Sequence, residues 1–491
     1  MGKQLRILFL SPEVVPFAKT GGLADVAGAL PDALKRLGAD IRVIMPFYRA
    51  VKSKRFKTRR VLANLDAPLG DRLLKADIHG IRTRAGVPVY FVEREDLYDR
   101  PNLYGSGAGD YYDNLERFAF YNHAALSAAK AFAFQPHVIH CHDWQTGLVP
   151  PLLKGPYRDI SDLAGTRSVF TIHNIGYQGV FPKEKLPLTG LPEEDFFHSE
   201  GVEFWDNLSL LKAGIVYADA VTTVSRSYAQ QILSPDYGMG MEGVLQRREG
   251  ALHGILNGAD YNIWDPARDS HLDETYSEKN MAGKVRCKEA LLKETGLAPT
   301  LKERPLLGII SRLGSQKGLG LLLEVLDDLL TLEVGLVVLG SGDEEIQQAL
   351  QEAAGRYTDR LAVRIGMNES LAHRIMAGVD MLLIPSRYEP CGLTQMYALK
   401  YGTVPVARAT GGLDDTIIPF DRKTKKGNGF KFRPHEAKAL LDCIKEAVDL
   451  YTDGRWWKQV MANAMEADFS WDRSAKQYLE LYEKICERGE G

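Results

Sequence analysis

The sequence predicts an α/β protein made of two doubly wound parallel sheets. Strand-length apolar runs alternate with helix-period stripes almost throughout, and the alternation starts afresh past the midpoint. The chain has 491 residues, room for two to four domains at ~100–200 residues each.

The first apolar run, residues 6–10, meets Pro12 and Glu13 at once and lacks a small-residue cleavage site. It therefore reads as a first strand and not a signal peptide. Leu23, Val26, Leu30, Leu34 and Leu37 then recur at three and four residues, the stripe of a core-facing helix. Pro31 is expected to kink that helix and Gly38 to stop it. Residues 41–45, 138–140, 168–172 and 220–224 supply further strands. In the second half the strands are 306–310, 335–339, 361–365, 381–384 and 404–406, with helices over 318–330 and 344–354. The polar, aperiodic stretch 266–283 lies near the midpoint. The boundary is placed close to 254–257, giving Rossmann-like domains over 1–254 and 255–471. Open sheets of this kind bind ligands at the carboxyl ends of their strands.

Composition removes several classes. A hydrophobic share of 45% with 25% charged residues is ordinary for a globular chain, so fibrous and disordered readings fall away. Lys+Arg 61 against Asp+Glu 64 leaves −3, without the basic excess of a nucleic-acid binder. The longest apolar runs are far below the ~20 residues of a membrane span. Five scattered cysteines make no disulfide framework, and a cytoplasmic location is the expectation.

The motifs fall between strands and helices. Lys19-Thr20-Gly21-Gly22-Leu23-Ala24-Asp25 pairs glycines, which let backbone amides approach a ligand, with a lysine and a helix start that favours anions. It is neither GxGxxG nor a P-loop, and an ordinary solvated turn is the plain alternative. His140-Cys141-His142-Asp143-Trp144 ends a strand; its histidines share a face, as zinc would need, but Cys141 points the other way and no second ligand cluster stands out. His173 and Asn174 end the next strand. Arg312 and Lys317, five apart in a strand–helix loop, are placed to flank a diphosphate. In Tyr388-Glu389-Pro390-Cys391-Gly392-Leu393-Thr394 a strand runs into a carboxylate suited to sugar hydroxyls, then into a helix start. Cys391 reads as a packed residue. No Asp-x-Asp triplet occurs, so no compact carboxylate site for Mg²⁺ or Mn²⁺ is expected.

KTGGLADV, HCHDW, THNIGYQG, GILNGAD, SRLGSQKG, SRYEPCGLTQ and TGGLDDT occur in this order along essentially the whole chain. Together they resemble the bacterial and plant glycogen/starch synthase family, with bacterial members nearest. The resemblance implies a GT-B fold, with the two domains facing across a deep cleft and a final helix, about 472–491, packing back on the first. It implies retaining transfer of glucose from ADP-glucose to the non-reducing end of an α-1,4-glucan, without cofactor, metal, nucleic-acid or membrane partner. On the same ground the first domain is the acceptor side and the second the nucleotide-sugar side. Lys19, Gly21 and Gly22 would meet the donor with Asp25 close by. Asp143, His173 and Asn174 would line the sugar pocket, and Arg312 and Lys317 would bind the diphosphate. Glu389 with Cys391, Gly392, Leu393 and Thr394 would hold the glucose, and Tyr98 and Asn257 are further pocket candidates.

Two positions depart from the family pattern: Gln145 stands where histidine is frequent, and Met367 where an aromatic residue would cover the adenine. Either Met367 covers the base less well, or it only packs beneath the site. UDP-glucose stays open as the donor. A phosphorylase would need a lysine site for pyridoxal phosphate, which nothing here resembles. A glucan-binding protein with a decayed site is the alternative outside enzymes, against which the intact Lys19, His173, Arg312, Lys317 and Glu389 argue.

Overall fold

The computed structural model describes residues 4–107 and 109–487. The chain divides into two compact units, one formed up to Gly258 and again from Trp471, the other Ala259–Ser470. The C-terminal helix is Trp471–Glu487; the expected residues 488–491 lie outside the described ones.

The first unit is built on nine strands, β1 (Arg6–Leu10), β2 (Asp40–Pro46), β3 (Arg59–Leu69), β4 (Arg72–Arg82), β5 (Pro88–Glu93), β6 (Val138–His142), β7 (Arg167–Ile172), β8 (Ala220–Thr223) and β9 (Leu252–Gly254). Their order is β9-β8-β7-β6-β1-β2-β5-β4-β3. From β9 to β5 every pair is parallel, whereas β3 and β4 add an antiparallel edge. The sequence reading lacks β3, β4, β5 and β9. β3 and β4 form a hairpin turning at Gly70, with φ +62, and much of it is exposed. Their charged residues broke the apolar runs by which the central strands are found. α1 (Gly22–Arg36) continues through Pro31, and Gly38, with φ +98, follows its end. The C-terminal helix buries Tyr478, Leu481, Tyr482 and Ile485 and packs along α1.

The second unit has six parallel strands, β10 (Leu306–Ile310), β11 (Gly335–Gly340), β12 (Leu361–Ile365), β13 (Met381–Ile384), β14 (Val404–Arg408) and β15 (Phe430–Phe432), in the order β12-β11-β10-β13-β14-β15. Alternate side chains of β11 serve two cores. Leu336 and Val338 join Leu322, Leu326 and Ile444 on one face, while Val337 and Leu339 join Leu291, Leu371 and Ile375 on the other. A strand buried on both faces has to be apolar at every position, which is why GLVVLG was legible.

Each sheet reverses its strand order once. In the first the chain passes from β1 to β2, crosses to the edge at β3, comes back through β4 and β5, and then continues to β6 on the opposite side of β1. In the second it runs β10, β11, β12 and returns to β13 on the opposite side of β10. The loops leaving β1 and β6, and those leaving β10 and β13, therefore diverge and leave a crevice at each carboxyl edge.

Candidate active site

On the first unit, Asp143 directly follows β6, with φ +56 and ψ 178, a conformation L-residues rarely adopt. Its Oδ1 accepts the His173 backbone N–H at 2.7 Å, which ties the end of β6 to the end of β7. Burial pushes the Asp143 carboxyl up to about 7, against the pull of the backbone N–H groups of His173 and Asn174. Asn174 closes a turn by accepting from the Gly176 N–H at 3.0 Å.

His173 sits on a ladder of buried rings. Its Nε2 is 2.9 Å from His142 Nδ1, and His142 lies 4.1 Å from the His140 ring, centroid to centroid. His140 commits both nitrogens, Nε2 to Thr171 Oγ1 at 2.6 Å and Nδ1 to the Tyr482 hydroxyl at 2.7 Å. Burial pushes His173 down to about 3 and holds His140 and His142 well below the usual imidazole range. All three are neutral at pH 7. His140 thus spends both ring nitrogens on hydrogen bonds within the unit, whereas His142 Nε2 is buried without a partner among the described residues.

The loop after β1 is organised by Glu13, which sequence reasoning missed. This 4%-exposed carboxylate accepts the Thr20 and Gly21 N–H groups at 2.5 and 3.2 Å, the Thr20 hydroxyl at 2.5 Å and the Tyr104 hydroxyl at 2.7 Å. The expectation that the Gly21 amide faces a ligand is corrected: Glu13 occupies it. Of the first-turn amides of α1, which begins at Gly22, that of Ala24 donates to the Gly21 carbonyl at 3.3 Å. Gly21 has φ −150, which any residue adopts, and open space where a Cβ would stand. Lys19, half exposed, pairs with Asp25 at 2.7 Å.

Tyr98 is corrected as well. It is fully buried, and its hydroxyl donates to the Arg117 carbonyl at 2.8 Å, so it offers no surface to a ligand. Asn257 follows β9 and is 4% exposed, its Oδ1 without a hydrogen-bond partner among the described residues. Gln145 is buried too, its carbonyl accepting from Asn122.

On the second unit, the loops of the neighbouring strands β10 and β13 bring Lys317 and Glu389 together at 2.6 Å. Ser386 donates to the same carboxylate oxygen at 3.0 Å. Arg312, exposed, donates to Gln316 Oε1 at 3.1 Å, and Gln316 O in turn accepts the Arg387 N–H at 2.8 Å. Gly318 has φ +71, and a Cβ there would stand 2.0 Å from the Pro385 carbonyl, so only glycine lets these loops close on each other. Cys391 is buried and packs; Gly392, Leu393 and Thr394 are partly exposed. Gln395, also missed, holds the carbonyls of Cys391 and Gly392 through Nε2 at 3.0 and 2.9 Å. Met367 follows β12 and is 95% exposed, which excludes the alternative that it packs beneath the site.

Comparison with known proteins identifies the family. The family described as starch synthase catalytic domain matches residues 6–247, and that described as glycosyl transferases group 1 matches 298–458. Glycogen synthase of Anaeromyxobacter sp. (strain Fw109-5) is 48% identical over 98% of this chain and 100% of that protein. The chain belongs to the glycogen/starch synthase family. A second family member, glycogen synthase of Koribacter versatilis, is 45% identical over 98% of each chain. The catalytic domain of starch synthase IV from Arabidopsis thaliana, solved bound to ADP and acarbose, superposes with a TM-score of 0.91 at 33% identity, covering 99% of this chain and 100% of that one. Sucrose-phosphate synthase from Thermosynechococcus elongatus, at TM-score 0.60 and 18% identity over 98% and 99% of the two chains, shares the fold. The chain is a GT-B glucosyltransferase of glycogen or starch synthesis. Among the described residues no helix is long and apolar enough to cross a membrane.

Proposed function

We propose that the protein transfers glucose from ADP-glucose to the non-reducing end of an α-1,4-glucan, with retention of configuration. The observation that carries this reading is the meeting of Lys317 and Glu389, with Arg312 beside them, where the strand order reverses at β10 and β13. Cations at such a crevice suit a diphosphate. Solved starch synthase IV with ADP supports adenine as the base.

In this reading Arg312 and Lys317 take up charge as the bond from glucose C1 to the diphosphate oxygen breaks. Glu389 holds Lys317 in place and, with the partly exposed Gly392, Leu393 and Thr394, receives the glucose. Cys391 packs behind them. The new bond forms between C1 and the acceptor's 4-oxygen on the same face. The hydroxyl proton passes to the departing phosphate oxygen, leaving ADP and a glucan longer by one residue. His173 is neutral, so its contribution is position and hydrogen bonding and not delivery of a proton from an imidazolium. Asp143 orients it through the backbone. Lys19 and the Gly21-Gly22 turn, next to Asp25, meet the donor, and exposed Met367 covers the base without a ring face.

Labelled ADP-glucose and UDP-glucose offered separately with maltotetraose, in EDTA, test this. Expected is extension by single α-linked residues from ADP-glucose. Extension from UDP-glucose alone, or activity that EDTA abolishes and Mg²⁺ restores, would overturn it.

A further inference from the structure

A three-stranded antiparallel sheet on the first unit lies outside the edges described so far. It pairs residues Val180–Pro182 with Asn207–Ser209, and these with Glu203–Phe204. The turn between its last two strands contains only Trp205 and Asp206, with φ +54 and +58. Two positive φ values in a two-residue hairpin loop are the requirement of a type I′ turn, which favours Asn-Gly or Asp-Gly. A bulky ring in the first position is a poor choice for the backbone, and here the indole is also 79% exposed.

The turn is nevertheless held firmly. Lys183 Nζ donates to both Asp206 carboxylate oxygens at 2.7 and 2.8 Å, Glu203 Oε1 accepts the Asp206 N–H at 2.7 Å, and Asn207 Nδ2 donates to the Trp205 carbonyl at 2.9 Å. One edge of the platform rests on Gly240, where a Cβ would meet the Phe204 ring at 3.3 Å and the indole Nε1 at 4.0 Å. The neighbouring Met239 is 44% exposed, and its carbonyl accepts from Gln178 Nε2 at 2.9 Å. Gln178 is preceded by Tyr177, 53% exposed, in the loop that leaves His173. Tyr177, Met239 and Trp205 are thus three exposed apolar side chains on segments that link the loop leaving His173 to the hairpin. Residues 180 to 182, between Tyr177 and the hairpin, span about 7 Å at the rise of a strand.

We propose that Trp205 is a binding platform for the α-glucan acceptor, gripping the chain beyond the residues that enter the site. A flat, rigid, preorganised aromatic face costs little conformational entropy on binding and stacks against the C–H face of a pyranose, leaving the sugar hydroxyls in water. The assignment rests on the reading of the protein as a glucan-extending transferase.

Trp205→Asn tests it, because asparagine tolerates positive φ and removes the ring while keeping the turn. Retardation in native gels containing glycogen reads glucan binding without the donor. Wild type should be retarded and the variant about five-fold less so, the order expected for losing part of one aromatic contact. KM for glycogen should rise by a similar factor, while kcat and KM for maltotriose stay unchanged, and Trp205→Phe should recover most of the loss. Wild-type retardation of the Trp205→Asn variant, or a change in sedimentation in place of retardation, would overturn the platform and, in the second case, mark a contact between copies. Absence of glucosyl transfer by the wild type would instead refute the proposed function.

Discussion

Asp143 is a carboxylate that burial holds near neutrality in a backbone conformation suited to few residues. An asparagine in its place would keep the acceptor oxygen for the His173 N–H and tolerate positive φ. Between about pH 4 and 7 the native carboxyl holds a proton that the unfolded one has released, so this group makes stability fall as pH rises through that window. Asp143→Asn should therefore melt above wild type at pH 8, the difference shrinking toward pH 4, while kcat stays within a few-fold because the acceptor for the His173 N–H is kept. Asp143→Ala, which removes it, should lower kcat about ten-fold or more, and an unchanged kcat there would remove Asp143 from the site. Arg312 and Lys317 separate by environment. Arg312 is exposed, so Arg312→Ala should lose kcat by tens-fold with Tm kept. Lys317 also lies in a loop, but it is paired with a buried carboxylate. Removing it strands Glu389, which is 8% exposed, so Lys317→Ala should lose both kcat and about 1–3 kcal/mol in urea unfolding. Loops that carry glycines and charges between apolar strands were readable at this scale. Glu13 and Gln395 were not, because their partners are backbone groups whose approach no spacing announces.

Among elements, the C-terminal helix is tied into the histidine ladder by one hydroxyl. Tyr482→Phe leaves His140 Nδ1 buried without its partner, at a cost of about 1–3 kcal/mol, measurable by chemical unfolding at pH 8. The ladder also sets an acid limit. His140, His142 and His173 stay unprotonated when folded but take up protons near pH 6.5 when unfolded, so their stabilisation is present above that pH and is lost as pH falls. Three such groups outweigh the opposite slope of Asp143, and stability of the first unit should drop between pH 7 and 5. A flat profile across that range would contradict neutral burial of the three rings. The helix itself was expected from the family resemblance, which placed it at about 472–491 and packing back on the first domain. Its attachment to β6 was not, since it joins residues 342 apart in sequence.

For the whole molecule, the second unit begins and ends at one place: the Ala259 N–H donates to the Phe469 carbonyl at 2.7 Å. With a core on each face of its sheet, residues 259–470 expressed alone should unfold in one cooperative urea transition. The complementary truncation at Ser470 strips Tyr478 and Tyr482 from the first unit and should leave that unit prone to aggregation. A gradual transition in the isolated fragment would show that its core depends on the remainder of the chain.

The sequence by itself determined the fold class and the family. Strands buried on both faces must be continuously apolar, and glycines at closely approached turns admit no substitute, so both leave local marks. Only the tertiary structure decided that Tyr98 is enclosed, that Glu13 and not a ligand occupies the Gly21 amide, that β3 and β4 extend the first sheet, and that Trp205 stands exposed on a held turn. Each of these depends on what arrives from a distant part of the chain. Burial and hydrogen-bond partners are properties of the packed assembly of elements, and local patterning records them only where the same residue type is required by every possible neighbour.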